Sequence, residues 1–169
     1  YFLATSKSGL GHLRRTATIA GRVRQIANRR LHLISNAEPQ GISDSDLGVF
    51  DSVHVVDRTQ MASHMLIAGR KVMVLDTITV PEIEKLDAPL ALVLREAPEG
   101  QLHRFRLTGE RPWDLVVVAN PQDYWMPTDQ GLARRATVPV GWIYRPTGVR
   151  THTESLLPQV LVATGGGGT

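Results

Sequence analysis

The sequence predicts an α/β domain built on a parallel sheet, and three observations predict it. Short apolar runs of strand length recur along the chain, among them Leu90 to Leu94 and Leu115 to Ala119. Longer amphipathic stretches separate them, the alternation that crossover helices between parallel strands leave in a sequence. A Gly/Ser turn, Ser6 to Gly11, stands between the first apolar run and the first amphipathic stretch.

Each element follows in order. Tyr1 to Thr5 reads as the first strand. A helix is predicted from about His12 to Arg29, because Leu13, Ala17, Ala20, Val23 and Ala27 recur at helical spacing. Leu31 to Ser35 is a second strand, Ile42 to Ser52 a loop, and Val53 to Val56 a short strand. Thr59 to Ala68 reads as a helix ended by Gly69, with the strand Lys71 to Leu75 behind it. Val80 to Leu86 is a short helix, since Pro81 suits a first turn. Leu90 to Leu94 is a strand, and Glu99 to Leu107 a short helix closed by Gly109. Asp114 to Ala119 reads as a buried strand, because Val116, Val117 and Val118 are consecutive. A strand at Val138 to Tyr144, a connector at Arg145 to Pro158 and a strand at Gln159 to Thr164 running into Gly165 complete the pattern.

Composition narrows the function classes. The 169 residues suffice for one α/β domain with a sizeable core. With 42% hydrophobic and 21% charged residues, neither disorder nor a fibrous protein fits. A formal charge of +3 is too small to mark a dedicated nucleic-acid binder, so no nucleic-acid partner is expected. The absence of cysteine excludes disulfides, thiolate catalysis and Cys-based zinc sites. It is compatible with a reducing compartment, and a cytoplasmic location is the expectation. No apolar run approaches the roughly 18 residues that span a bilayer.

The strongest local signal is Ser8-Gly9-Leu10-Gly11-His12-Leu13-Arg14-Arg15, between a strand and a helix. Glycines there let backbone approach a ligand closely. The helix start offers unpaired N–H groups and a positive dipole end, which suits an anion such as a diphosphate. Gly9 and Gly11 lack the third glycine of the dinucleotide fingerprint, since Arg14 occupies its place. His12 falls where a carboxyl sheet edge meets a helix start, and it could serve as general base on an acceptor hydroxyl or bond the donor. A helix-capping role is the alternative. Arg15, one turn on, suits either phosphate or an acidic partner. Arg14, Arg15, Arg22, Arg24, Arg29 and Arg30 make this region basic. A solvated face is the favoured account, with peripheral contact to anionic lipid as the minority one.

These residues resemble a known family. Ser8 to Arg15 behind a strand is similar to the N-terminal signature of GT-B glycosyltransferases of the family 28 type, related to the lipid II GlcNAc transferase and the monogalactosyldiacylglycerol synthases. The closing Val160-Leu161-Val162-Ala163-Thr164-Gly165-Gly166-Gly167-Gly168-Thr169 is similar to the strand and glycine loop that open their second domain. The resemblance implies a Rossmann-like parallel sheet with flanking helices, one half of a two-domain architecture. On this view residues 1–146 form the acceptor-side domain, 147–158 a connector, and 159–169 the start of a donor-binding domain that continues past Thr169. It implies an inverting transfer from a nucleotide-sugar, UDP-linked by expectation, to an acceptor hydroxyl, with no cofactor and no metal. His12 would be catalytic, and Gly9, Gly11, Arg15, Asn120, Gly165, Gly166 and Gly167 would contact donor or acceptor. Lys7 and Ser8 stand where the lipid II enzyme carries further glycines. The same loop pattern occurs in a related nucleotide-sugar hydrolase, so water activation by His12 is an alternative. A non-catalytic partner half of a split transferase is another.

Other residues are weaker candidates. Asp76, after the strand Lys71 to Leu75, reads as a turn residue rather than one that orients a hydroxyl. Arg95 and Glu96 read as surface or ion-paired. In Asn120-Pro121-Gln122-Asp123-Tyr124-Trp125, amides and aromatics suit sugar binding, whereas turn formation and a core-covering Trp125 are the plainer account. His32, His54, His64, His103 and His152 are too scattered along the chain to predict a zinc site.

Overall fold

The structure, a computed structural model, describes residues 1–5, 10–36, 38–39, 42–65, 71–129 and 131–144, the side chain of Glu110 excepted. Gly9, the connector, and the predicted strand and glycine loop at 159–169 lie outside these residues.

Among the described residues, seven strands form one sheet in which every pairing is parallel. In chain order they are β1 (Phe2–Ala4), β2 (His32–Ser35), β3 (Ser52–Val55), β4 (Met73–Asp76), β5 (Leu90–Leu94), β6 (Trp113–Val118) and β7 (Ala133–Pro139). The spatial order is β3-β2-β1-β4-β5-β6-β7. The chain winds outward from β1 through β2 and β3, then returns to lay β4 on the other side of β1. That reversal makes β1 and β4 the switch point of a Rossmann-like α/β fold, and their carboxyl ends open the crevice where such folds bind ligands.

Strand alternation sorts the core onto two faces. Phe2 and Ala4 of β1, with Leu33 of β2, meet Leu13, Ala17 and Ala20 of helix α1 (Gly11–Ile26). The helix buries that stripe because its apolar residues fall three and four apart. A short helix α2 (Asp44–Leu47) lies within the predicted loop, capped by Ser43, whose hydroxyl accepts from the Asp46 amide. On the opposite face Leu3, Ile34, Leu75, Leu92 and Val116 pack with Met61, Met65, Ile83 and Leu102.

The connections on this second face depart from expectation. The segment predicted as a helix from Thr59 holds two 3₁₀ turns, Arg58–Gln60 and Ser63–Met65. Asp57 caps the first of them, its carboxylate accepting from the Thr59 amide at 2.8 Å. The segments at Ile83–Lys85 and Glu99–Phe105 are likewise 3₁₀, and Gly109 takes a positive φ of 72° as a kink within the turn Thr108–Glu110 that follows.

One of two later strand predictions needs correction. The strand predicted at Asp114 to Ala119 stands as β6, with Leu115 and Val117 partly open, while all five residues of β5 are buried. The last described strand runs Ala133–Pro139 rather than Val138 to Tyr144. Among the described residues it lies at the sheet edge, and the register places Arg134 and Arg135 opposite the single Asp114, a bulge. Adjacent arginines and a proline read against a buried strand, yet an edge tolerates both.

Candidate functional site at the switch point

The crevice gathers residues from β1, α1 and β4. Helix α1 begins at Gly11, so His12 stands in its first turn and Arg15 one turn deeper, on the same side. Leu10 precedes the helix without a side-chain cap, and no acid occupies the first turn. The helix start therefore keeps its positive end uncompensated by acids in that turn. An added Cβ on Gly11 would meet nothing within 4 Å, so packing among the described residues does not require glycine there.

Asp76 closes β4 directly across from this helix start. Its side chain is only 1% exposed, and four side chains surround its carboxylate. Arg15 grips both oxygens, Nε donating to Oδ2 at 2.8 Å and an Nη2 hydrogen to Oδ1. Nδ1 of His12 lies 2.9 Å from Oδ1. The Thr16 hydroxyl donates to Oδ2 at 3.3 Å, and the Thr77 hydroxyl lies 3.1 Å from Oδ1. The turn-residue expectation for Asp76 is thus overturned. A turn aspartate bonds its own backbone, whereas this one is a buried ion-pair centre.

The electrostatics follow from that geometry. Burial pushes the Asp76 carboxyl up, but the hydrogen bonds from His12 and Arg15, together with the Arg15 charge, outweigh it and hold the group below the ordinary carboxylate value. Asp76 is therefore ionised at neutral pH and accepts hydrogen bonds only. An N–H on His12 Nδ1 satisfies it, and in the neutral imidazole that tautomer carries its lone pair on Nε2. Arg15 Nη2 also lies 3.2 Å from Nδ1, but it donates to Asp76 and to the Thr77 hydroxyl at 3.0 Å, so the nitrogen pair is a packing contact. Among the described residues Nε2 has no partner, and the His12 side chain is 34% exposed. The arrangement is that of an oriented base: one ring nitrogen fixed by a carboxylate, the other open.

Thr77 supplies a backbone signal that sequence reasoning missed. It is β-branched and has a φ of 51°, in the left-handed region such residues avoid. Its amide donates to Val93 O at 2.7 Å, which holds the strained turn in place beside Asp76. Strain of this kind, about 1–3 kcal/mol, is kept where surrounding contacts over-determine it, and it clusters at binding sites.

The remaining predicted residues are placed as follows. Gly11, His12 and Arg15 come together, and Arg15 spends its guanidinium on Asp76 and Thr77 rather than pointing outward. Asn120, after β6, is buried, and its Oδ1 accepts from the Glu96 amide at 3.2 Å. It lies two strands from Asp76 along the same carboxyl edge. Trp125 packs on the core. Arg95 and Glu96 are exposed. Gly9 and Gly165, Gly166 and Gly167 lie outside the described residues.

The histidines, scattered in sequence, partly converge in space. The Ser52 hydroxyl lies 2.7 Å from both His32 Nδ1 and His54 Nε2, and the His54 and His64 rings are 4.7 Å apart. Among the described residues no group of three or more His, Cys, Asp or Glu side chains is placed to hold a metal ion.

A cavity of about 410 Å³ opens at the amino-terminal ends of β6 and β7, between Arg106, Arg111 and Trp113. It faces the edge opposite the crevice. Its arginines are committed, Arg111 to the carbonyls of Glu84, Leu86 and Ala88 and Arg106 to Asp129. The crevice is the better site because it holds the open base. None of the described helices is long and apolar enough to cross a membrane. Compared with protein-family profiles, with curated proteins and with solved structures, the chain finds no match.

Proposed function

We propose that this chain is the acceptor-side half of a metal-independent, inverting glycosyltransferase of the GT-B type, with a UDP-linked sugar as donor and an acceptor hydroxyl as nucleophile. The observation that carries the reading is the His12–Asp76 pair at the switch point, with Nε2 open. The glycine-rich turn before it supplies the motif, and the uncapped start of α1 supplies a dipole for the leaving diphosphate.

In this mechanism Nε2 of His12 takes the proton of the acceptor hydroxyl as its oxygen bonds to the anomeric carbon. The bond from that carbon to the diphosphate oxygen breaks, and the electron pair leaves with the nucleoside diphosphate. Asp76 holds the ring in its tautomer and faces the imidazolium that forms, the role a carboxylate plays behind a catalytic histidine. Arg15 cancels the Asp76 charge before reaction. The N–H groups at the α1 start meet the developing negative charge on the diphosphate. A cytoplasmic setting belongs to the same proposal and rests on the lack of cysteine.

Mass spectrometry of the intact protein with UDP-, GDP- and TDP-sugars, with and without cell-extract acceptors, tests it. Diphosphate release that requires acceptor, with a product heavier by one sugar, is the expected result. Free sugar released without acceptor makes the protein a hydrolase, with His12 activating water. Neither product from any donor overturns both.

A further inference from the structure

The carboxyl edge carries a second feature, beyond the switch point. Tyr124, after β6, and Trp142, after β7, are each 56% exposed, large aromatic rings left in water. Their centroids are 5.1 Å apart at an interplanar angle of 63°, an edge-to-face pair. In such a pair, the ring that offers its edge keeps both of its faces free of its partner. The Tyr124 hydroxyl donates to Glu96 Oε2 at 3.0 Å, which fixes an exposed carboxylate beside the rings.

Buried Asn120 holds this group together. Its side-chain oxygen accepts from the Glu96 amide, and its backbone carbonyl accepts from the Gly141 amide at 3.3 Å. The segments leaving β5, β6 and β7 are thereby tied to one residue. Gly141 has a φ of 74°, the left-handed turn that swings the chain toward Trp142. The platform is preorganised rather than a chance exposure of two rings.

We propose that Tyr124, Trp142 and Glu96 form a saccharide subsite that binds a neutral sugar ring of the acceptor. This deepens the transferase reading and rests on it for the word acceptor. An aromatic face takes the C–H surface of a pyranose, and a carboxylate at its border accepts from the hydroxyls that ring the sugar. The chemistry disfavours an anionic lipid surface, since Glu96 would be carried toward like charge. Position agrees: β6 and β7 lie two and three strands from β4, roughly 10–15 Å along the sheet. That is a few ring widths, so the bound sugar stands a short oligosaccharide's length from the hydroxyl facing His12.

The test reads binding without donor. Calorimetry and saturation-transfer NMR on the intact protein use glucose-, cellulose- and chitin-derived saccharides of one to four rings, with UDP and GDP as separate ligands. Affinity rising at least tenfold from one ring to three is expected. Tyr124→Ala and Trp142→Ala should each lower it at least tenfold with circular dichroism unchanged, and Tyr124→Phe should keep most of it. No saccharide binding at millimolar concentration overturns the proposal. So does equal binding in the two alanine variants, or nucleotide binding that those variants abolish. Because no turnover is read, a protein that transfers no sugar can still show this binding. A transferase that uses another acceptor will show turnover without it.

Discussion

Asp76 Oδ1 lies 2.9 Å from Nδ1 of His12, although 64 residues separate them in the chain. Helix α1 brings one to the crevice and strand β4 the other. The parallel pairing of β1 with β4 sets Ala4 beside Asp76, so the carboxylate emerges where the chain leaves β1 for the helix. The contact is a consequence of the topology.

Asp76 and Arg15 should behave as one unit. Arg15→Leu leaves a buried carboxylate without its cation, a change that costs about 3–5 kcal/mol when an ion pair is broken this way. Adding Asp76→Asn should recover part of that loss, because the stranded charge disappears. Urea unfolding of the two single variants and the double variant measures the coupling. Strict additivity of the two losses would show that the pair is not coupled.

The pH dependence has a definite sign. The folded-state value of Asp76 is lowered. Its contribution to stability is therefore complete above the unfolded value of about 3.9 and is lost as pH falls through the lower folded value. Thermal unfolding from pH 7 to pH 2 should show a steeper acid loss in the wild type than in Asp76→Asn. Parallel curves for the two would assign the acid transition to other carboxylates.

Gly11 separates folding from binding. A Cβ there has free space, and alanine is the better helix former by about 1 kcal/mol in a helix interior, less at its first turn. Gly11→Ala should thus leave stability equal or slightly raised. If backbone approach by the diphosphate is what glycine serves, the same variant should weaken donor binding at least fivefold. Calorimetry against the donor, beside a melting curve, checks both halves.

Strand β5 is buried along its whole length, and substitution should say so. Leu92→Ala removes a fully buried side chain and should cost about 2–5 kcal/mol. Leu115→Ala, on the half-covered face of β6, should cost clearly less. Denaturant midpoints of the two variants give the comparison.

Much of the fold was legible because periodicity carries it. The α1 stripe of Leu13, Ala17 and Ala20 and the run Leu90 to Leu94 were placed from spacing and apolar length alone. The strand β7 was not, because an edge position excuses Arg134, Arg135 and Pro139 from the pattern of a buried strand. Nothing in the spacing of residues 59–65 separates an α-helix from the two 3₁₀ turns that stand there. The site was legible by half. His12 announced itself through the glycines beside it, whereas Asp76 looked like any aspartate after a strand. Its partner set depends on which strand lies next to β1, and that order is a tertiary fact. The Thr77 backbone strain has no sequence signal, since threonine is an unremarkable residue after a strand.

The most direct test of the central claim is the turnover of His12→Gln in the intact protein, set beside its donor dissociation constant. Glutamine keeps a side-chain amide near Asp76 but offers no basic nitrogen. The account predicts a fall in kcat of about 10²–10⁴-fold, the range that a positioned general base supplies, with donor affinity within about threefold of wild type. Near-normal turnover, or a loss confined to donor binding, would contradict it and return His12 to a purely structural place at the start of α1.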